Sequence, residues 1–241
     1  MPGLYRDEGV VLKTIKLGEA DRIVTLFTRE HGKVRAVAKG IRKTKSRFGG
    51  RLEPFTRAEL LIYKGRKDLD TITQVDIIDS FDAARRDYEL LGAASAMTEL
   101  VEKITPDREG AFSTYALLIG GLRALTTNKT ATVLPSFLIK LLSVSGYHPE
   151  LHRCAGCGDG GRLGGFSPSF GGAVCESCWH EDHHAVGIAA EHIEMMSVLL
   201  SSDIGRPLGA AAADAITLAL CRYAEHHLER PLRSLQMLTA V

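Results

Sequence analysis

The chain of 241 residues has no apolar run that approaches a membrane span, which needs about 20 consecutive apolar residues. It opens Met-Pro-Gly-Leu-Tyr, without a charged segment followed by an apolar stretch, so no signal peptide is expected and a cytoplasmic location is. No G-x-x-x-x-G-K-[ST] occurs, which excludes P-loop nucleotide hydrolysis. No G-x-S-x-G occurs, which excludes the serine elbow of the α/β-hydrolases. No carboxylate cluster of the two-metal nuclease kind stands out, and there is no internal repeat or low-complexity segment. These absences favour a binding protein over an enzyme. The length suits one large domain or two to three small ones, with the composition of a soluble globular protein.

Charge is nearly absent in sum and strongly present in distribution. The net of +1 hides 17 Lys/Arg against 11 Asp/Glu in residues 1–80, and 13 against 18 in residues 81–241. Between Lys33 and Lys67 there are 12 basic residues and two acidic ones, Glu53 and Glu59.

Residues 8–79 read as strands. Gly9–Lys16 and Asp21–Thr28 are rich in β-branched residues, and the turn Arg29–Gly32 leads into Lys33–Lys39. There, period-two alternation buries Val34, Ala36 and Ala38 and displays Lys33, Arg35, Val37 and Lys39. Thr56–Tyr63 and Thr71–Ile78 complete five candidate strands, which suggests a small barrel. The linker Gly40–Pro54 is polar and glycine-rich and reads as a mobile basic loop.

From Ser80 the period becomes helical. Ser80 is a candidate cap for a helix carrying Tyr88 to Val101 and closed by Pro106. Gly110–Thr126 and Thr130–Ser145 follow, the latter starting or kinking at Pro135. Helical period returns at Ile188–Ser201 and Gly209–Leu228, and the tail Arg230–Leu238 is expected to pack back on a core. The fold class expected is α+β and multidomain. Residues 1–80 form the barrel, 81–150 and 185–241 a helical bundle, and 151–184 an insertion in that bundle.

The insertion carries the sharpest chemical signal, Cys154, Cys157, Cys175 and Cys178, two Cys-x-x-Cys pairs with 17 residues between them. Four soft ligands suit one tetrahedral zinc ion. Disulfides need an oxidising compartment. A redox pair needs one such motif at a helix start after a strand. The intervening loop has seven glycines and few apolar residues, so metal binding would supply its folding energy. Four cysteines close the coordination, and the zinc is expected to be structural. Cys221 lies in an apolar helical stretch and reads as a small buried hydrophobe.

Two literal motif matches carry little. Gly156–Gly161 fits G-x-G-x-x-G, but no strand precedes it and two of its glycines belong to a cysteine knuckle. His180–His184 fits H-E-x-x-H, but the segment is polar and ends at Gly187, which argues against a metalloprotease.

Lys33 to Arg51 holds eight positive charges and no negative ones. Such density on a strand and the loop after it, within a small barrel, points to nucleic-acid phosphates. Phe48, Phe55 and Tyr63 offer neighbouring rings for stacking on bases. The candidate contacts are Lys33, Arg35 and Lys39 on the strand, and Arg42, Lys43, Lys45, Arg47 and Arg51 on the loop. Competing readings are a sequence-specific zinc-ribbon regulator, the H-E-x-x-H metalloprotease, and a protein scaffold that uses the helices.

Taken in order, four segments resemble the RecO family of DNA recombination and repair proteins. They are Gly9–Lys13 with Glu19–Thr28 and His31–Lys33, then Ala38–Lys43 with Arg51–Phe55, then Phe137–Leu142 with Gly146–Pro149, then the cysteine set with Phe166-Ser167 and Gly171-Gly172. The resemblance covers the whole chain. It implies an OB-fold, a helical domain and a zinc-ribbon insertion with a bound zinc. It implies binding to single- and double-stranded DNA and annealing of complementary strands. It also implies partnership with RecR and single-strand-binding protein in loading RecA, at the nucleoid during repair.

Overall fold

The structure is a computed structural model that describes residues 3–65 and 68–234. The chain divides into two compact units, Met1–Thr126 and Thr127–Val241.

The first unit is a closed barrel of five strands, β1 (Leu4–Leu17), β2 (Asp21–Thr28), β3 (Gly32–Ala38), β4 (Arg57–Tyr63) and β5 (Asp70–Asp79), in the order β1-β2-β3-β5-β4. β1 is long enough to serve two partners. Its first half pairs with β4 and its second half with β2, with an irregularity between Val11 and Lys13 where the strand turns the corner. A short parallel pairing of Ala36 with Asp70 and Val37 with Thr71 closes the barrel. This is the OB-like topology, and the alternation expected for β3 holds, with Val34, Ala36 and Ala38 buried.

The loop between β3 and β4 differs from expectation. Ile41, Phe48 and Leu52 belong to the barrel core beside Val24, Leu26, Leu60 and Ile72. The 40–54 segment is therefore a lid of turns pinned at three apolar points, and only its polar side faces out. Local composition hid this, because three well-spaced hydrophobes among charges show no period.

Helices α1 (Ala83–Arg86), α2 (Tyr88–Ile104) and α3 (Phe112–Asn128) follow. Asp87, rather than Ser80, caps α2 by accepting from the backbone N–H groups of Glu89 and Leu90. Phe27 is fully buried on the outside of the barrel, with the Tyr115 ring of α3 6.5 Å away.

The second unit holds α4 (Val133–Val144), β6 (Leu163–Ser167), β7 (Gly172–Cys175), α5 (Glu176–Glu181), β8 (Val186–Gly187), α6 (Ala190–Ser201) and α7 (Ala210–Leu228). α4, α6 and α7 pack on one another, and the three-stranded sheet β7-β6-β8 is inserted between α4 and α6. α4 begins two residues before Pro135, inside the first turn that tolerates proline. Lys140 of α4 donates to the carbonyl of Leu200 at 2.7 Å, near the end of α6. Leu232 of the tail is buried, and residues 235–238 of the expected packing segment lie outside the described residues. No helix among the described residues is long and apolar enough to cross a membrane.

Candidate metal centre and nucleic-acid interface

The four cysteine sulfurs lie within 4.8 Å of one another. Cys154 Sγ is 3.7 Å and Cys157 Sγ 3.9 Å from Cys175 Sγ. Both distances are far beyond a disulfide bond of about 2.05 Å. They match the sulfur–sulfur edge of about 3.8 Å expected of a tetrahedron with metal–sulfur bonds of about 2.3 Å.

The local fold explains the gathering. The first knuckle turns tightly, with the Gly158 N–H donating to the Cys154 carbonyl at 2.8 Å, and it is tied to β7 by the Ala155 N–H on the Ala173 carbonyl. Cys175 ends β7 and Cys178 sits in the first turn of α5. A Cβ at position 156 would lie 2.9 Å from Cys178 Sγ, so only glycine lets the knuckle pass beneath the second pair.

Burial pushes the Cys154 thiol up, but N–H groups of Cys157, Cys175 and Gly156 outweigh it and bring the thiol down to about 6. The shared hydrogen bond with Cys154, and burial, push Cys178 up to about 12. One thiolate is thus supported by the backbone, and a full set of four needs a cation among them. The donor set fits a soft, tetrahedral metal.

Trp179 supplies a wall that the sequence did not announce. Its ring lies over the paired residues Gly165 and Gly187 of β6 and β8, where added Cβ atoms would meet it at 2.8 and 2.9 Å. Two glycines on neighbouring strands and one tryptophan after a cysteine were the available signal.

Neither literal motif forms its site. α5 ends at Glu181, so His180 and His184 do not share a helical face, and the His184 N–H donates to the Asp182 carboxylate. His180, His183 and His184 are exposed. No strand leads into Gly156–Gly161. Cys221 is buried, as its surroundings suggested.

The basic residues separate into two groups. Arg35, Lys39, Arg42, Lys43, Lys45, Arg47 and Arg51 are exposed. Of these, Arg42 donates to the carbonyls of Gly18 and Glu19, Arg51 to that of Arg47, and the Arg47 guanidinium stacks 4.9 Å from the Phe48 ring. Lys33 is different. Its side chain is only 14% exposed, and Nζ donates to the carbonyls of Glu102 and Thr105, each at 2.7 Å, and pairs with Asp107 at 3.1 Å. It holds the C-terminal end of α2 rather than facing solvent. Phe48 and Phe55 are also withdrawn, at 1% and 2% exposure, whereas Tyr63 is 45% exposed.

The register adds a feature that strand-by-strand reading missed. Ile15, Ile23 and Val37 are successive partners across β1, β2 and β3, and Thr71 of β5 and Tyr63 of β4 continue the row. An apolar band thus crosses the outside of the barrel, with Arg35 and Lys39 two residues to either side of Val37. Val37, the single apolar member of the displayed face of β3, was its visible trace. Elsewhere on the barrel Glu8, Glu59 and Asp76 stand opposite one another across β1, β4 and β5. Like charges in direct register are unfavourable. Glu8 is paired with Arg57, whereas Glu59 and Asp76 are exposed.

Comparison with known proteins agrees over the full length. The family model described as Recombination protein O N terminal matches residues 1–81, and that described as Recombination protein O C terminal matches residues 85–236. The chain is 45% identical to a DNA repair protein RecO of Frankia casuarinae over 98% of both chains. It is 42% identical to one of a Nocardioides species, over 96% of this chain and 98% of that one. It is 41% identical to one of Thermobifida fusca, over 97% and 98%. The chain therefore belongs to the RecO family of DNA repair proteins.

Proposed function

We propose that the protein is a non-catalytic, cytoplasmic recombination mediator that binds single- and double-stranded DNA and anneals complementary strands. The observation that carries this reading is the exposed cationic surface of β3 and the loop after it, where seven Lys/Arg side chains face out beside an apolar band. Cations take phosphates with release of counterions, and the apolar residues, with Tyr63, take base faces without reading their edges. Annealing is limited by repulsion between two polyanions, and neutralising both lowers that barrier without a nucleotide cofactor. Arg35, Lys39, Arg42, Lys43, Lys45, Arg47 and Arg51 are the contacts, with Lys33 in a supporting role.

By role the chain divides into residues 1–80 for DNA, 81–150 with 185–241 for protein contacts, and the ribbon 151–184 as a brace. Cys154, Cys157, Cys175 and Cys178 would hold one zinc ion, whose charge would stabilise the thiolates and order the glycine-rich loop. Family membership supports RecR and single-strand-binding protein as partners, and RecA loading as the outcome.

The test is annealing of complementary oligonucleotides without ATP. Acceleration by the protein, independent of sequence and suppressed by salt, is expected. Binding confined to one duplex sequence would instead favour a regulator.

A further inference from the structure

The four cysteines of the candidate metal centre are not equally sheltered. Cys154 and Cys178 are buried, Cys175 is half-buried, and Cys157 is exposed. The local fold makes the difference. Cys154 begins the first knuckle, where its N–H donates to the Asp159 carbonyl at 2.8 Å and its Sγ accepts the Cys175 N–H at 3.3 Å. Cys178 packs with Cys154 and Val174, and Trp179 lies against them. Cys157 is on the outer limb of the knuckle, in a run from Gly156 to Arg162 that is exposed throughout. Nothing lies within 4 Å of a Cβ built at Gly158 or Gly160, so the approach to that limb is open.

Cysteine oxidation follows thiolate character and exposure. A coordinating thiol is deprotonated by the cation it binds, so in the loaded centre all four sulfurs are thiolates. Exposure is then what separates them, and it singles out Cys157. Cys175 is the next most open, and its Sγ is 3.9 Å from that of Cys157. Closing by about 2 Å brings the pair to the disulfide bond length of about 2.05 Å. Cys154 and Cys178 would be left with two sulfurs, too few for a closed tetrahedral site.

We propose that the cluster is a peroxide-sensitive switch, with Cys157 as the point of attack and Cys175 as the resolving cysteine. The Cys157 thiolate attacks one oxygen of hydrogen peroxide, breaks the O–O bond, expels hydroxide and becomes a sulfenic acid. The Cys175 thiolate attacks that sulfur, forms the S–S bond and expels a second hydroxide. The two thiolates lose two electrons in all, and the peroxide takes both. The glycine-rich 158–174 segment then loses the constraint that orders it, and α5, which begins directly after Cys175, loses its anchor. The barrel core contains none of these residues, so the oxidised chain keeps its DNA surface and loses its brace. The inference rests on the reading of the four cysteines as a zinc centre.

The test exposes the zinc-loaded, full-length protein to hydrogen peroxide. Released zinc is read with a chromogenic chelator, and cross-links are read by peptide mapping without reduction. Trp179, the chain's one tryptophan, lies against Gly165 and Gly187, so its fluorescence reports on the ribbon. Expected are about one zinc released per chain, a first disulfide joining Cys157 to Cys175, a red-shifted Trp179 emission, and recovery on adding a dithiol with zinc. Cys157→His keeps four ligands in a Cys3His set and removes the exposed thiolate, so peroxide should release its zinc at least about tenfold more slowly. Cys178→His changes a buried ligand and should respond like the natural chain. A first disulfide that omits Cys157, or joins it to another cysteine, would overturn the proposal. So would release from Cys157→His at the natural rate. The disulfide map uses the natural chain, so it decides the matter even where a histidine variant does not retain zinc. A natural chain purified without zinc would overturn the metal reading, and this inference with it, before any peroxide is added.

Discussion

Lys33 Nζ lies 2.7 Å from the carbonyl oxygen of Thr105, where it closes the C-terminal turn of α2 together with the Glu102 carbonyl. A cation at a helix C-terminus meets the negative end of the helix dipole and satisfies carbonyls left without intrahelical donors. Lys33→Ala should therefore lower stability by about 2 kcal/mol, the scale of losing charge-assisted hydrogen bonds to partly buried acceptors. Its oligonucleotide affinity should show the same salt dependence as the natural chain. A melting curve and a salt titration check the two halves. An unchanged melting point with a reduced salt slope would return Lys33 to the DNA surface.

Phe48 offers a parallel contrast inside the basic loop. It is a core residue of the barrel, with Ile41 and Leu52 beside it. Phe48→Ala should destabilise the first unit by about 3–5 kcal/mol, the usual consequence of truncating a buried phenyl ring. Tyr63→Ala removes an exposed ring and should weaken single-strand binding with little change in stability. Denaturant unfolding and binding measured on both variants separate the roles.

The reach of the sequence can be judged from these residues. Period-two alternation gave the buried and displayed faces of β3, because a strand between core and solvent has no other way to place Val34, Ala36 and Ala38. The cysteine spacing gave the sulfur cluster, because the chemistry of four soft ligands is local. Lys33, Phe48 and Phe55 were misread for a common reason. Their environment is made by residues distant in the chain, such as Glu102 and Val11, and no local pattern encodes it. The apolar band depends on strand register, which is likewise a property of the assembled unit.

Asp70 ties the closing pair of strands to the segment after α2. Its buried carboxylate accepts from Arg108 at 3.1 and 3.2 Å, from the Tyr5 hydroxyl at 2.8 Å and from the Gly65 N–H at 2.9 Å. Burial alone would raise its pKa, but Arg108, Gly65 and Tyr5 outweigh that and hold it below the ordinary 3.8. Glu8 is lowered in the same sense, burial being outweighed by Arg57 and Tyr115. The unfolded chain then takes up these protons more readily than the folded one, so stability rises with pH between the folded and unfolded values. The contribution is full above the ordinary carboxylate range and is lost as pH falls through the lowered values. Asp70→Asn should reduce stability at neutral pH by about 2 kcal/mol and flatten the acid limb of a plot of melting temperature against pH. An acid limb as steep as that of the natural chain would assign the effect to other carboxylates.

Removal of metal should act on the ribbon before it acts on the barrel. Cys157→Ser, or a strong chelator, is expected to release about one zinc per chain and to open the 158–174 segment to proteolysis. Affinity for single-stranded DNA should stay within about twofold, because the cations of the β3 face depend on the barrel core and not on the sulfurs. Metal analysis, limited proteolysis and binding on one preparation check all three. Zinc retained in full by the serine variant would point to ligands outside the cysteine set.

The loop cations give the most quantitative expectation. Each Lys or Arg on a single-stranded phosphate contributes about 0.7 to the slope of log affinity against log salt. The Lys43 and Lys45 side chains are exposed and make no hydrogen bond or ion pair with the described residues, and Arg47 keeps the edge of its guanidinium free while its face rests on Phe48. Lys43→Ala, Lys45→Ala, Arg47→Ala should therefore reduce the slope by about 2 and weaken binding most at low salt, the two chains converging as salt rises. The melting temperature should fall only slightly, through loss of the Arg47 guanidinium from the face of the Phe48 ring. If affinity fell by a constant factor at every salt concentration, the loop would be acting through shape rather than charge, and the phosphate contacts would have to be sought elsewhere on the barrel.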